Sequence, residues 1–247
     1  MKNFVLEVCV DSVESALEAE RGGATRLELC ANLVIGGTTP SIFLYREIRK
    51  HSDIPIHAII RPRFGDFCNT ESELRIMAEE IKQFKNEGAE GVVTGVLRPD
   101  GTIDMPAMET LRNAADRMHF AMHRAFDMCK DPFEALKDAE KLGVGTILTG
   151  GQKNTCLDGA ELIKELVKKT DIDIMPGSGL TPESIPQIRR ITGVSSFHLS
   201  GNVTLESPMI YRNKDLRMGL PSLSEFDIWR TSAVKIAAVR EILENID

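Results

Sequence analysis

The first two apolar runs of the chain read Phe4-Val5-Leu6-Glu7-Val8-Cys9-Val10 and Arg26-Leu27-Glu28-Leu29-Cys30-Ala31, and each contains the triplet Glu-apolar-Cys. Residues two apart on a β-strand share a face, so each run sends a carboxylate and a thiol to the same side. The segment between them fits one helix: Asp11 and Glu14 have capping-box spacing, and Gly22-Gly23 ends it. Strand, helix and strand in that order form a right-handed crossover with parallel, adjacent strands. Glu7, Cys9, Glu28 and Cys30 are therefore expected to face one shared interior.

The same rhythm runs through the rest of the chain. A helix opened by Thr39-Pro40 reaches Lys50. Strand three covers 54–63, with Arg61 and Arg63 on one parity near its exit. Thr70 and Glu73 cap a helix ending at Gly88, and 91–97 is strand four. A helix follows over 104–116, then strand five over 120–126. Asp131-Pro132 with Glu134 opens a helix that stops at Gly143, and 146–149 is strand six. Asp158 and Glu161 open the next helix, 172–175 is strand seven, Thr181-Pro182 starts a helix, and 196–199 is strand eight. The last segment departs from the pattern, with a long polar loop over 200–223 before a final helix over 225–246.

Eight strand-then-helix units of about 30 residues each match a (β/α)8 TIM barrel, which typically needs about 250 residues. A doubly wound sheet is the competitor, but it usually begins with a Gly-rich first turn, which is absent after Val10. The expectation is a single α/β domain, a TIM barrel over 1–247, whose active end lies at the C-terminal ends of the strands.

Composition narrows the partners. A net charge of −7, with Lys and Arg scattered, disfavours nucleic acid and anionic membranes. No long apolar span or signal core is present, so a cytoplasmic location is expected. Five cysteines without Cys-x-x-Cys spacing are expected to be free thiols.

Several motifs stand in one order along the chain: Glu7-Val8-Cys9-Val10-Asp11-Ser12, Glu28-Leu29-Cys30, Gly36-Gly37-Thr38-Thr39-Pro40-Ser41, Arg61-Pro62-Arg63, Gly65-Asp66-Phe67, His123-Arg124-Ala125-Phe126-Asp127 and Arg212-Asn213. By these the chain resembles the CutC copper homeostasis family over essentially its whole length. Two positions depart from it: Phe64 stands where Gly is common, and Gly150 where Ser is common. The resemblance implies a (β/α)8 barrel, a cytoplasmic protein, a homodimer or higher homo-oligomer, and copper handling through the cysteines that are here Cys9 and Cys30.

The residues themselves leave two chemistries open. Strands about 4.8 Å apart would let the Cys9 and Cys30 sulfurs close on one ion, and soft thiolates select Cu(I). Either thiol could equally be a small buried hydrophobe. Carboxylates are almost never fully buried without a partner. Glu7 and Glu28 could therefore ion-pair with Arg61, or act with Arg61, His123 and Asp127 as acid and base on a small phosphorylated or carboxylated molecule. Arg63 and the loops carrying Gly177-Ser178-Gly179 and Ser200-Gly201 sit where barrels of this kind hold anions. His123 and Arg124 are consecutive, so on a regular strand only one of them faces the pocket.

Overall fold

A computed structural model describes residues 4–246 apart from 214, 217, 221 and 222. Eight parallel strands form the barrel: β1 (Val5–Val10), β2 (Arg26–Leu29), β3 (Ile56–Ile59), β4 (Gly91–Thr94), β5 (His119–Met122), β6 (Thr146–Thr149), β7 (Asp173–Pro176) and β8 (Ser196–Leu199). Hydrogen bonding runs in the order β7-β6-β5-β4-β3-β2-β1-β8, and β7 lies beside β8 to close the ring. Each strand is followed by a helix: α1 (Val13–Arg21), α2 (Ile42–Arg49), α3 (Glu71–Asn86), α4 (Met105–Ala115), α5 (Pro132–Lys141), α6 (Ala160–Val167), α7 (Ile185–Thr192) and α8 (Ala233–Asn245). The expected TIM barrel is the fold.

Strand parity builds two distinct cores. Leu6, Val8, Val10, Leu27, Leu29, Ile56 and Ala58 point outward and pack with Ala16, Ala19, Tyr45, Ile48, Met77 and Ile81 of the helices. Inside the barrel, Cys9, Cys30 and Ile59 form a separate small apolar cluster with Leu33 against it. No helix of the described residues is long and apolar enough to cross a membrane.

Helix starts follow the local chemistry with shifts of one to three residues. Thr70 and Glu73 form a full capping box, and the Asp131 side chain accepts from the Phe133 and Glu134 amides. For α1 the N-cap is Ser12, not Asp11; for α2 it is Ser41, because Thr39 is occupied with Arg61 and Glu80. The helix expected from Thr181-Pro182 begins at Ile185, after a turn in which Thr181 and Ser184 bond each other.

Five expected boundaries are corrected. Strand four stops at Thr94 and not at residue 97. Strand three stops at Ile59, so Arg61 and Arg63 lie in the loop beyond it. Strand five stops at Met122, and a 3-10 turn over Arg124–Met128 follows with His123 as its N-cap. The expected loop over 200–223 begins with a strand, β9 (Asn202–Glu206), which pairs antiparallel with β10 (Asp227–Thr231). The final helix accordingly starts at Ala233 and not at Glu225. Residues 214, 217, 221 and 222 of that loop lie outside the described residues. The pairing left no mark in the sequence because both strands are largely exposed and have no buried face to enforce alternation.

Candidate functional site

Register decides which inward side chains meet. Glu7 is paired with Arg26 and Cys9 with Glu28 across β1 and β2, while His198 stands beside Glu7 across β1 and β8. The two Glu-x-Cys segments do run side by side and face inward, staggered by two residues. Cys9 therefore lies beside a carboxylate, and Cys30 sits one residue beyond the end of β2.

Glu7 is the anchor of the interior. It accepts from Arg26 Nε at 2.5 Å and from His198 Nδ1 at 2.8 Å, and its other near neighbour is His57 Nδ1 at 3.8 Å. Burial opposes its ionisation, but the His198 hydrogen bond and the charges of Arg26 and His198 outweigh that and hold it well below the usual carboxylate range. Burial likewise opposes a charge on His198, yet contact with Cys9, Glu7 and Glu28 raises it well above the ordinary histidine value.

Glu28 is its counterpart one step higher. Burial raises its carboxyl group, which the charge of His198 opposes and that of Glu7 reinforces. Its Oε2 accepts from the Cys30 thiol at 3.4 Å and lies 3.8 Å from His198 Nε2; its Oε1 is buried with no hydrogen-bond partner among the described residues. Burial, with Glu28 and Cys9 adding to it, pushes the Cys30 thiol well up. The Cys9 sulfur, a Glu28 oxygen and a His198 ring nitrogen all lie within 4.8 Å of one another, a buried trio able to hold a metal ion.

Above this floor opens a cavity of about 940 Å³. Cys9, Glu28 and His198 form its base, with Arg61, Phe67, His123 and Arg124 on one side. Ser178, Gly179, Ser200, Gly201, Trp229 and Lys235 line the other. Because the strand ends before His123, the 3-10 turn brings both His123 and Arg124 to this cavity, which strand parity alone would forbid.

Other expected residues lie elsewhere. Glu7 is beneath the cavity. Cys30 and Gly177 are not on its lining. Arg63 turns away to Glu73 and Asp66. Asp127 organises a loop: it accepts from the Thr149 hydroxyl, the Gly150 and Gln152 amides and Arg124. Ser178 spends its hydroxyl on the Asn154 carbonyl at 2.6 Å. Phe64 is 66% exposed and off the cavity, so it does not narrow the mouth. At Gly150 a Cβ would meet the Lys153 carbonyl at 2.9 Å.

Sequence reasoning missed Arg26, His57, His119 and His198. Their parity was readable, since His57 shares a face with Ile59 and His119 with His123. Among the described residues, His57 and His119 stack at 4.8 Å between ring centroids, and His119 Nε2 meets Thr146 Oγ1 at 2.9 Å.

Comparison with known proteins agrees with the architecture. The CutC family profile matches residues 4–203. A family protein CutC of Parabacteroides distasonis is 45% identical over 241 residues, covering 95% of this chain and 98% of its own. The human copper homeostasis protein cutC homolog is 41% identical over 246 residues, covering 98% and 90%. The solved structure of a CutC protein from Streptococcus agalactiae superposes with a TM-score of 0.76 at 31% identity, covering 80% of this chain and 99% of that one.

Proposed function

The chain belongs to the CutC family, and from that premise we propose that it binds copper as Cu(I) on the barrel floor and serves copper homeostasis in a reducing cytoplasm. The observation that supports this is the buried trio of Cys9, His198 and Glu28. A thiolate and an imidazole are ligands that suit a soft monovalent ion satisfied by few donors. The His198 ring is already oriented for that task. Its Nδ1–H is given to Glu7, which turns Nε2 toward Cys9 and Glu28, where a metal ion would displace the Nε2 proton; a carboxylate on Nδ1–H fixes the ring and raises ligand basicity at metal sites.

Cys30 is the second thiol at the same place. It packs with Cys9 in the inner cluster and donates to Glu28, so its recruitment as a thiolate releases a proton and frees the Glu28 carboxylate. All five cysteines are free thiols, as a reducing compartment requires.

Anaerobic Cu(I) titration against a competing chromogenic chelator tests the reading. One Cu(I) per chain is expected, with Cys9→Ser abolishing tight binding and His198→Gln and Cys30→Ser each weakening it. Undiminished stoichiometry and affinity in a Cys9→Ser, Cys30→Ser double variant would refute it.

A further inference from the structure

A cavity of about 940 Å³ is far larger than one ion needs and lies in the range that takes a small metabolite. Its Arg61 and His123 side carries two unspent donors. His123 is only 4% exposed, and its Nδ1 accepts the Ala125 N–H at 3.2 Å, so that nitrogen bears no proton. The ring is neutral, and its hydrogen therefore sits on Nε2, which is buried and has no partner among the described residues. Arg61 gives its terminal nitrogens to the carbonyls of Ile35, Gly36, Gly37 and Gly65, yet its Nε is also buried without a partner. No carboxylate pairs with this guanidinium among the described residues.

Buried donors without acceptors are rare and costly, and two of them flank one ring. The Phe67 ring lies 4.9 Å from the His123 ring, and the Arg61 guanidinium carbon is 5.1 Å from the Phe67 centroid. Phe67 belongs to a stretch without regular structure between β3 and α3, where its carbonyl accepts from the Leu97 N–H and its half-buried ring packs at the edge of the core. We propose that Arg61 and His123 form an oxyanion site, covered by Phe67, for the carboxylate or phosphate group of a small metabolite that occupies the cavity above the Cys9–His198 floor. Both N–H groups are buried against the Phe67 ring, so a negative oxygen reaches them when that ring turns aside. Leu33, Ile35 and Leu148 give its carbon skeleton an apolar wall, and Lys235 adds positive charge at the rim. The seventh and eighth loops line the opposite side, where Ser178 has no hydroxyl hydrogen left to give. The inference goes beyond copper binding and does not depend on it.

Trp229 is the sole tryptophan of the chain and lines the same cavity, so its fluorescence reports occupancy directly. The experiment titrates metal-free protein with acetate, pyruvate, inorganic phosphate, glycerol 3-phosphate and glycerol, following Trp229 emission and the thermal midpoint. Saturable binding of a carboxylate or a phosphate is expected, with none by glycerol, and the better of the two classes identifies the source of the oxyanion. His123→Asn keeps a side-chain oxygen to cap Ala125 but removes the Nε2 donor, and should weaken binding by about tenfold or more. Arg61→Met should do the same; should that variant fail to fold, His123→Asn alone decides. Phe43→Ala, at a position 71% exposed on α2 and off the cavity, should leave anion affinity within about twofold. Failure of every anion to saturate, or wild-type affinity in His123→Asn, would overturn the proposal whatever the copper titration shows.

Discussion

His198 Nδ1 and Glu7 Oε1 stand 2.8 Å apart although 191 residues separate them, and the bond joins the last barrel strand to the first. It fixes the imidazole, and with it the direction in which Nε2 faces Glu28. Replacing Glu7 by Gln keeps the shape and removes the charge on Nδ1–H that orients the ring and raises the basicity of Nε2. Cu(I) affinity should fall about 10–100-fold, the usual effect of losing such an outer partner. Equal affinity for the variant in the chelator competition would mean that His198 is not a ligand.

Arg26 holds the other oxygen of the same carboxylate, and its Nη2 reaches the Met175 sulfur at 3.6 Å across the barrel. Arg26→Met would leave Glu7 charged and buried with only histidine for a partner. Breaking one side of a buried pair costs about 3–5 kcal/mol, so urea unfolding should show a loss of that order. A loss below about 1 kcal/mol would place the pair among ordinary surface salt bridges.

Why part of this interior was legible in the sequence, and part was not, follows from what each feature depends on. Alternation within one strand is local, so Glu7 with Cys9 and Glu28 with Cys30 could be assigned to the inside before any coordinates. Capping boxes are local too, as Thr70 and Glu73 show. The two-residue stagger that seats Cys9 beside Glu28 is a property of the closed ring, set by shear shared among all eight strands, and no stretch of sequence encodes it alone. The early end of β5 at Met122 is another case. His123 caps the next turn with its own side chain, a side-chain-to-backbone bond that competes with strand pairing. Arg63 shared the parity of Arg61, but Glu73 and Asp66 draw it away.

Two buried histidines predict an acid-sensitive fold. His57 and His123 are both pushed down to about 3, chiefly by burial, with Glu7 opposing for His57 and Arg61 assisting for His123. Each is neutral in the fold but takes a proton in the unfolded chain below about pH 6.5. The unfolded state thus binds more protons from about pH 6.5 down to about 3, and stability must drop across that window. His198 works in the opposite direction. Its raised value gives stability that is full below about pH 6.5 and is lost as pH climbs through its folded value. Urea midpoints should fall on both sides of neutrality, and His123→Asn should flatten the acid limb alone. An acid limb as steep in that variant as in wild type would show that His123 is not held neutral.

Gly91 and His57 occupy paired positions on β4 and β3, and a Cβ at Gly91 would lie 2.5 Å from His57 Cδ2 and 2.7 Å from its Nε2. At Gly145, just before β6, a Cβ would likewise meet His119, with Cε1 at 2.5 Å. These glycines are small because the inner imidazoles need the room, not because the backbone demands an unusual φ. Gly91→Ala should therefore cost about 1–3 kcal/mol by overpacking. The clash is with one side chain, so His57→Ala should relieve it, and the double variant should be less destabilised than the two single losses added together. Additive losses in the double-mutant cycle would trace the cost of Gly91→Ala to the strand itself and detach these glycines from the histidine layer beneath the cavity floor.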